Sequence, residues 1–115
     1  MGYYTSGEYR VVELLLEDGR SPFAEWFAAL DPTAAAKVSA AIYRIGRGNL
    51  SSINWFRGIG EYKLNWGPGY RMYLAREGLS RIVLLGGGTK KRQDRDIAIA
   101  QERWVDYKKR RTREK

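Results

Sequence analysis

Residues 61–77 read EYKLNWGPGYRMYLARE, two short runs of alternating character on either side of Trp66-Gly67-Pro68-Gly69-Tyr70. Two glycines permit positive φ and the proline presets its own, so the chain turns back on itself here as a β-hairpin. A loop symmetric about Pro68 sets Asn65 opposite Arg71, Lys63 opposite Tyr73 and Glu61 opposite Ala75. Successive strand side chains point to opposite faces. Glu61, Lys63, Asn65, Arg71 and Tyr73 therefore share one face, and Tyr62, Leu64, Met72 and Leu74 share the other. The second face has the character of core; the first, with its basic and phenolic groups, has the character of a site.

On the N-terminal side, YRVVELLL at 9–16 is rich in β-formers and ends at the turn pair Asp18-Gly19. Ser21-Pro22 supplies an N-cap with proline in the first turn, opening a short helix through Phe23, Trp26, Phe27 and Leu30. Asp31-Pro32 repeats the signal for a second helix to about Arg47, with Ala35, Val38, Ala41, Ile42 and Ile45 on one face. Ile53 to Ile59 reads as one strand leading to the hairpin. On the C-terminal side, RIVLLG at 81–86 is apolar on both faces, the pattern of a central strand covered twice. Gly86-Gly87-Gly88 marks a bulge, a flexible exit or a close backbone approach. A last helix begins near 92–94 and runs to about Lys109, burying Ile97, Ala100, Trp104 and Tyr107 or Lys108. The order β-α-α-β-β-β-β-α describes an α+β domain with a mostly antiparallel sheet of four to five strands. The helices are expected on one side of it, leaving the other for the site.

The chain has 115 residues, enough for one hydrophobic core and one domain. Its net charge is +8, which points to an acidic partner, commonly nucleic acid. Residues 86–115 hold 11 Lys and Arg against 5 Asp and Glu, so +6 of the excess lies there, and the closing KKRRTREK (108–115) reads as a solvated basic tail from about residue 109. Cysteine and histidine are both absent. That excludes disulfides, Cys- or His-ligated zinc and any histidine triad, and makes a reducing cytosol the simplest compartment. The sequence implies no cofactor and no metal. No apolar run reaches membrane-spanning length, so a soluble, membrane-free protein is expected.

RNA carries its own nucleophile, the 2′-hydroxyl, so cleavage needs only proton transfer and stabilisation of a crowded phosphate. Arg71 offers a planar fork for phosphate oxygens and Lys63 a compact charge. Lys63 or Glu61 is placed to act as base, and Tyr73 to orient the nucleotide or donate a proton. Asn65, Lys90, Lys91, Arg92 and Arg57 complete the expected RNA-binding set, the 90–92 run because cations and free amides meet at a helix start. Asp94 and Asp96 read as first-turn acids complementing the helix dipole. Lys37, Arg44 and Arg47 share the polar face of the second helix, where solvation is the simplest reading. Trp55, Phe56, Trp66 and Tyr70 are open to base stacking or core packing, with core packing favoured.

EDGRSPFAEWFAAL (17–30), GEYKLNWGPGYRMYLARE (60–77) and VLLGGGTKKRQDRDIAIAQERWVDYK (83–108) together resemble the RelE/ParE superfamily of toxins from type II toxin–antitoxin modules. The nearer likeness is to its HigB-like, phage-derived addiction module killer branch. The resemblance implies a RelE-like fold, ribosome-dependent messenger RNA cleavage without a metal, and a cognate antitoxin of helix-turn-helix type. It places Arg71 at the strand arginine that contacts the scissile phosphate, Lys63 at a basic position of the preceding strand, and one of Lys90 to Arg92 at the basic position after the last strand. Asn65 stands where a second catalytic lysine is common, and Tyr73 or Tyr107 stands in for a family tyrosine. The superfamily also contains DNA gyrase inhibitors of ParE type. Gyrase poisoning and non-catalytic nucleic-acid binding are thus the alternatives to RNA cleavage.

Overall fold

The computed structural model describes residues 2–3 and 9–113. A six-stranded sheet in the order β1-β2-β6-β5-β4-β3 is built from β1 (Gly2–Tyr3), β2 (Arg10–Glu13), β3 (Ile53–Phe56), β4 (Ile59–Leu64), β5 (Tyr70–Glu77) and β6 (Arg81–Thr89). Among the described residues only the β2–β6 pairing is parallel. The helices are α1 (Pro22–Ala28), α2 (Pro32–Gly46) and α3 (Gln93–Arg113), with a single 3-10 turn over Lys90–Arg92 before α3. This is the α+β order read from the sequence, with the two-residue β1 added.

Helix starts follow the local code. Ser21 Oγ accepts from the Ala24 amide at 3.0 Å and Asp31 Oδ1 from the Ala34 amide at 2.9 Å, each with proline next in the chain. Each cap satisfies a donor the helix cannot, worth about 1 kcal/mol.

The helices do not share one side. Val38, Ala41, Ile42 and Ile45 of α2 and Phe23 of α1 pack on one face of the sheet, with Tyr62, Leu64, Met72, Leu74, Ile82 and Leu84. On the opposite face α3 lays Ala100 and Trp104 over Ile59, Tyr73, Ala75, Val83 and Leu85. An amphipathic helix must bury its stripe somewhere, and the second face of β6 was apolar enough to receive it. The hairpin face expected to stand open is therefore partly roofed.

Three local readings are revised. First, Ile53–Ile59 is not one strand: Arg57 (φ 50°) and Gly58 (φ 84°) form a two-residue turn, and β3 pairs back on β4 as a hairpin. Second, the triple glycine is no exit. Tyr73 pairs with Gly86 and Leu74 with Leu84, so Leu85 is the extra residue of a β-bulge, and the strand continues to Thr89. A Cβ on Gly87 would collide with the Trp26 indole and one on Gly88 with the Asp96 carboxylate, so both faces need bare backbone here. Third, the basic C-terminus is helical through Arg113 rather than a tail. Arg110 donates to Leu15 O at 2.9 Å and Arg111 lies 3.6 Å from Glu77, which fasten the last turns to the body. Residues 114–115 lie outside the described residues.

Candidate nucleic-acid interface

The β4–β5 hairpin pairs Leu64 with Tyr70, Lys63 with Arg71 and Glu61 with Tyr73. The register differs by two residues from the one drawn about Pro68, because the turn closes through Trp66: its amide donates to Leu64 O at 2.8 Å, and Gly69 N donates to Trp66 O at 3.2 Å. An even shift keeps every side chain on its expected face. Lys63 and Arg71 become direct neighbours as a result.

Their surroundings differ sharply. Lys63 is exposed, whereas Arg71 is 7% exposed and Glu61 2%. Arg71 Nε lies 3.7 Å from Glu61 Oε2, and Arg71 Nη1 donates to Gly69 O at 2.6 Å. Glu61 Oε2 also accepts from Gln93 Nε2 at 2.9 Å, so the first residue of α3 clamps the pair. Among the described residues Arg71 Nε has no hydrogen-bond partner. A guanidinium has five N–H donors, and one left buried without an acceptor makes the group under-satisfied. It is an arginine fixed in place with one buried donor, Nε, facing Glu61 without a hydrogen bond.

Tyr73 lies beneath α3, its hydroxyl buried and without a hydrogen-bond partner among the described residues. Burial, reinforced by the nearby Glu61 charge, pushes its ionisation well above the usual phenol range. It borders a cleft of about 300 Å³ at the edge of β6, beside Trp26, Gly87, Asp96 and Arg103. Burial also raises the Asp96 carboxyl, against the pull of Arg92, Arg95 and Arg103, and lowers Arg103, whose Nη1 donates to Leu85 O at 3.1 Å. Asp96 is thus half-buried over the glycine strand as well as lying in the first helical turn.

Lys90, Lys91 and Arg92 are exposed on the 3-10 turn, which returns to the hairpin: Lys90 N reaches Pro68 O at 3.4 Å. Asn65 is exposed just after β4. Arg57 is exposed at the opposite end of β4 and does not join this group. Tyr107 is also elsewhere, its hydroxyl donating to Glu77 at 3.1 Å. The hairpin thus gathers Lys63, Arg71, Asn65 and the 90–92 cations, while Glu61 and Tyr73 form their buried support. Gln93 escaped the sequence reading. It meets Glu61 across 32 residues, and no local pattern encodes such a contact.

Trp66 is 37% exposed, stacks on Tyr70 at 6.1 Å and lies under Lys37 Nζ at 5.6 Å. Trp55 is exposed on the edge strand β3. Tyr70 is half-buried against the core, edge-on to Trp26 at 6.4 Å. No helix among the described residues is long and apolar enough to cross a membrane.

No family model matches the chain, and no solved structure matches it. The chain is 38% identical over 81 residues to a protein of Haemophilus influenzae described as "Uncharacterized protein", across 69% of this chain and 82% of that one. This chain belongs to the same family as that protein.

Proposed function

We propose that this member of the family is the toxin of a type II toxin–antitoxin module, acting in the cytoplasm by cutting messenger RNA on the ribosome and held inactive by a cognate antitoxin. The supporting observation is the cross-strand pair of an exposed Lys63 and a buried, under-satisfied Arg71, with Lys90, Lys91 and Arg92 folded back onto the same hairpin. In this reading the RNA 2′-hydroxyl attacks the adjacent phosphorus. A 2′-O–P bond forms as the P–O5′ bond breaks, with the leaving oxygen taking a proton from water, and fixed cations stabilise the added charge. Glu61 is buried and engaged by Gln93 and Arg71, which leaves Lys63, the exposed group beside Arg71, to take the 2′ proton. Glu61 acts by holding Arg71 in position. Tyr73 closes the floor of the site.

The test adds purified protein to a translation reaction and maps the message. Cleavage only in the presence of ribosomes, lost by about 100-fold or more in Lys63→Ala, supports the proposal. An intact message overturns it. Gyrase-linked DNA breaks would then favour the ParE-type alternative, and salt-sensitive binding alone would favour a non-catalytic domain.

A further inference from the structure

A second basic surface lies beside the hairpin, between α2 and the end of β4. It is a groove of about 380 Å³ lined by Lys37, Ala40 and Arg44 of α2 and by Tyr62, Asn65 and Trp66 of the hairpin. Lys37, Ala40 and Arg44 fall at spacings of three and four, so they form one stripe of the helix, with a small residue between two cations. Arg44 Nη2 donates to the Tyr62 hydroxyl at 3.0 Å, which spreads the guanidinium against the groove wall. Lys37 Nζ sits over the exposed Trp66 indole at 5.6 Å, and Tyr70 stacks against that indole at 6.1 Å and supports it. Among the described residues no carboxylate lines the groove, and Lys63 borders it, so it is continuous with the cationic hairpin.

From these features we infer that the α2–Trp66 groove is a binding site for a single strand of RNA, with one base on the Trp66 indole and neighbouring phosphates on Lys37 and Arg44. Two cations spaced along a helix fit a linear polyanion, and an aromatic plane beside them fits a base, since every base has a π-face. An acidic peptide would satisfy the cations but leave the indole unused, which is why RNA is favoured. Lys37 has a flexible stem and moves from the ring to a phosphate as the base arrives. The inference takes the identity of its ligand from the proposed function. The groove adjoins that site at Lys63, but the residues varied in its test, Lys37, Arg44 and Trp66, are not the pair assigned to cleavage.

The experiment measures binding of a fluorescein-labelled 12-nucleotide single-stranded RNA by anisotropy between 50 and 200 mM salt, using the full chain. Lys37→Ala/Arg44→Ala is expected to weaken binding at least tenfold and to reduce the slope of log K against log salt by about 1.4, roughly 0.7 per phosphate released. Trp66→Ala is expected to lose about tenfold, with Trp66→Phe retaining most of the affinity. Should Arg44→Ala disturb Tyr62 and the fold, Lys37→Ala alone carries the test, with about half the change in slope. Affinity within twofold of the parent and an unchanged slope overturn the inference. So does a glutamate 12-mer that displaces the RNA from the parent while Trp66→Ala binds both equally well. Binding here does not require cleavage: an intact message with groove-dependent binding sinks the proposed function alone, and ribosome-dependent cleavage with groove-independent binding sinks this inference alone.

Discussion

Removing Glu61 should be the most costly single change near the hairpin. Its carboxylate lies 3.7 Å from Arg71 Nε, is 2% exposed, and accepts from Gln93 at 2.9 Å. Glu61→Ala removes the carboxylate facing the buried guanidinium, leaves it the Gly69 carbonyl at 2.6 Å, and deprives Gln93 of its acceptor. Breaking one side of a buried pair costs about 3–5 kcal/mol, mostly the penalty of the orphaned charge. The Arg71–Glu61 contact is an ion pair without a direct hydrogen bond, which sets the expectation at the lower end, about 3 kcal/mol. In a domain of this size that corresponds to a fall in Tm of roughly 12 °C. Replacing both partners, as Glu61→Leu/Arg71→Met, removes the orphan as well and should recover most of the loss, to within about 1 kcal/mol of the parent. Urea unfolding of parent, singles and double at constant m provides the assay. A cost below about 1 kcal/mol for Glu61→Ala, or a double variant as destabilised as the two singles summed, would show that the pair is not the buried strut described.

Three further substitutions probe the same face and one turn. Tyr73→Phe removes a buried hydroxyl that has no hydrogen-bond partner among the described residues and should stabilise the fold by up to about 1 kcal/mol in thermal unfolding; a clear loss contradicts the placement. The same residue makes stability depend on pH. The folded state holds the phenolic proton more tightly than the unfolded chain, which releases it near pH 10.0, so Tyr73's contribution is intact below that value and declines as pH rises above it. Parent stability between pH 9 and 11 should therefore fall more steeply than that of Tyr73→Phe, and parallel curves would contradict this. Gly88→Ala drives a methyl into the Asp96 carboxylate and should cost about 1–3 kcal/mol in urea unfolding, with no effect expected if α3 does not rest there. Arg57→Gly relieves a positive φ of 50° at a residue that carries a Cβ and should stabilise by about 0.5–1 kcal/mol, unless the turn is already strain-free.

Helix starts were legible because capping is local: Ser21-Pro22 and Asp31-Pro32 name their own N-termini, and the structure places them there. The hairpin faces were legible because alternation survives any even shift of register. The register itself was not, since it depends on turn hydrogen bonds at Trp66 and Gly69 that composition does not specify. The covering of each face was a long-range matter. A clue existed in Val83 and Leu85, apolar on the face opposite Ile82 and Leu84, which required a roof on both sides of β6 and hence a place for the Ala100–Trp104 stripe of α3. Following it would have moved Tyr73 and Glu61 from open site to buried support. The Glu61–Gln93 clamp and the Asp96 seat over Gly88 join distant segments and had no sequence signal. Lys63, Lys90, Lys91 and Arg92 are exposed, but the return of the 90–92 turn to the hairpin at Pro68 is a long-range contact that their place at a helix start did not signal, and Arg57 lies at the other end of β4.

The most direct measurement is to induce the chain and its Lys63→Ala variant in a bacterium and map new 5′ ends across the transcriptome. New ends confined to translated regions for the parent, and near background for Lys63→Ala at equal protein level, are the predicted result. Transcripts without new ends in the parent, or with the same ends in the variant, would contradict a cationic hairpin that cuts RNA.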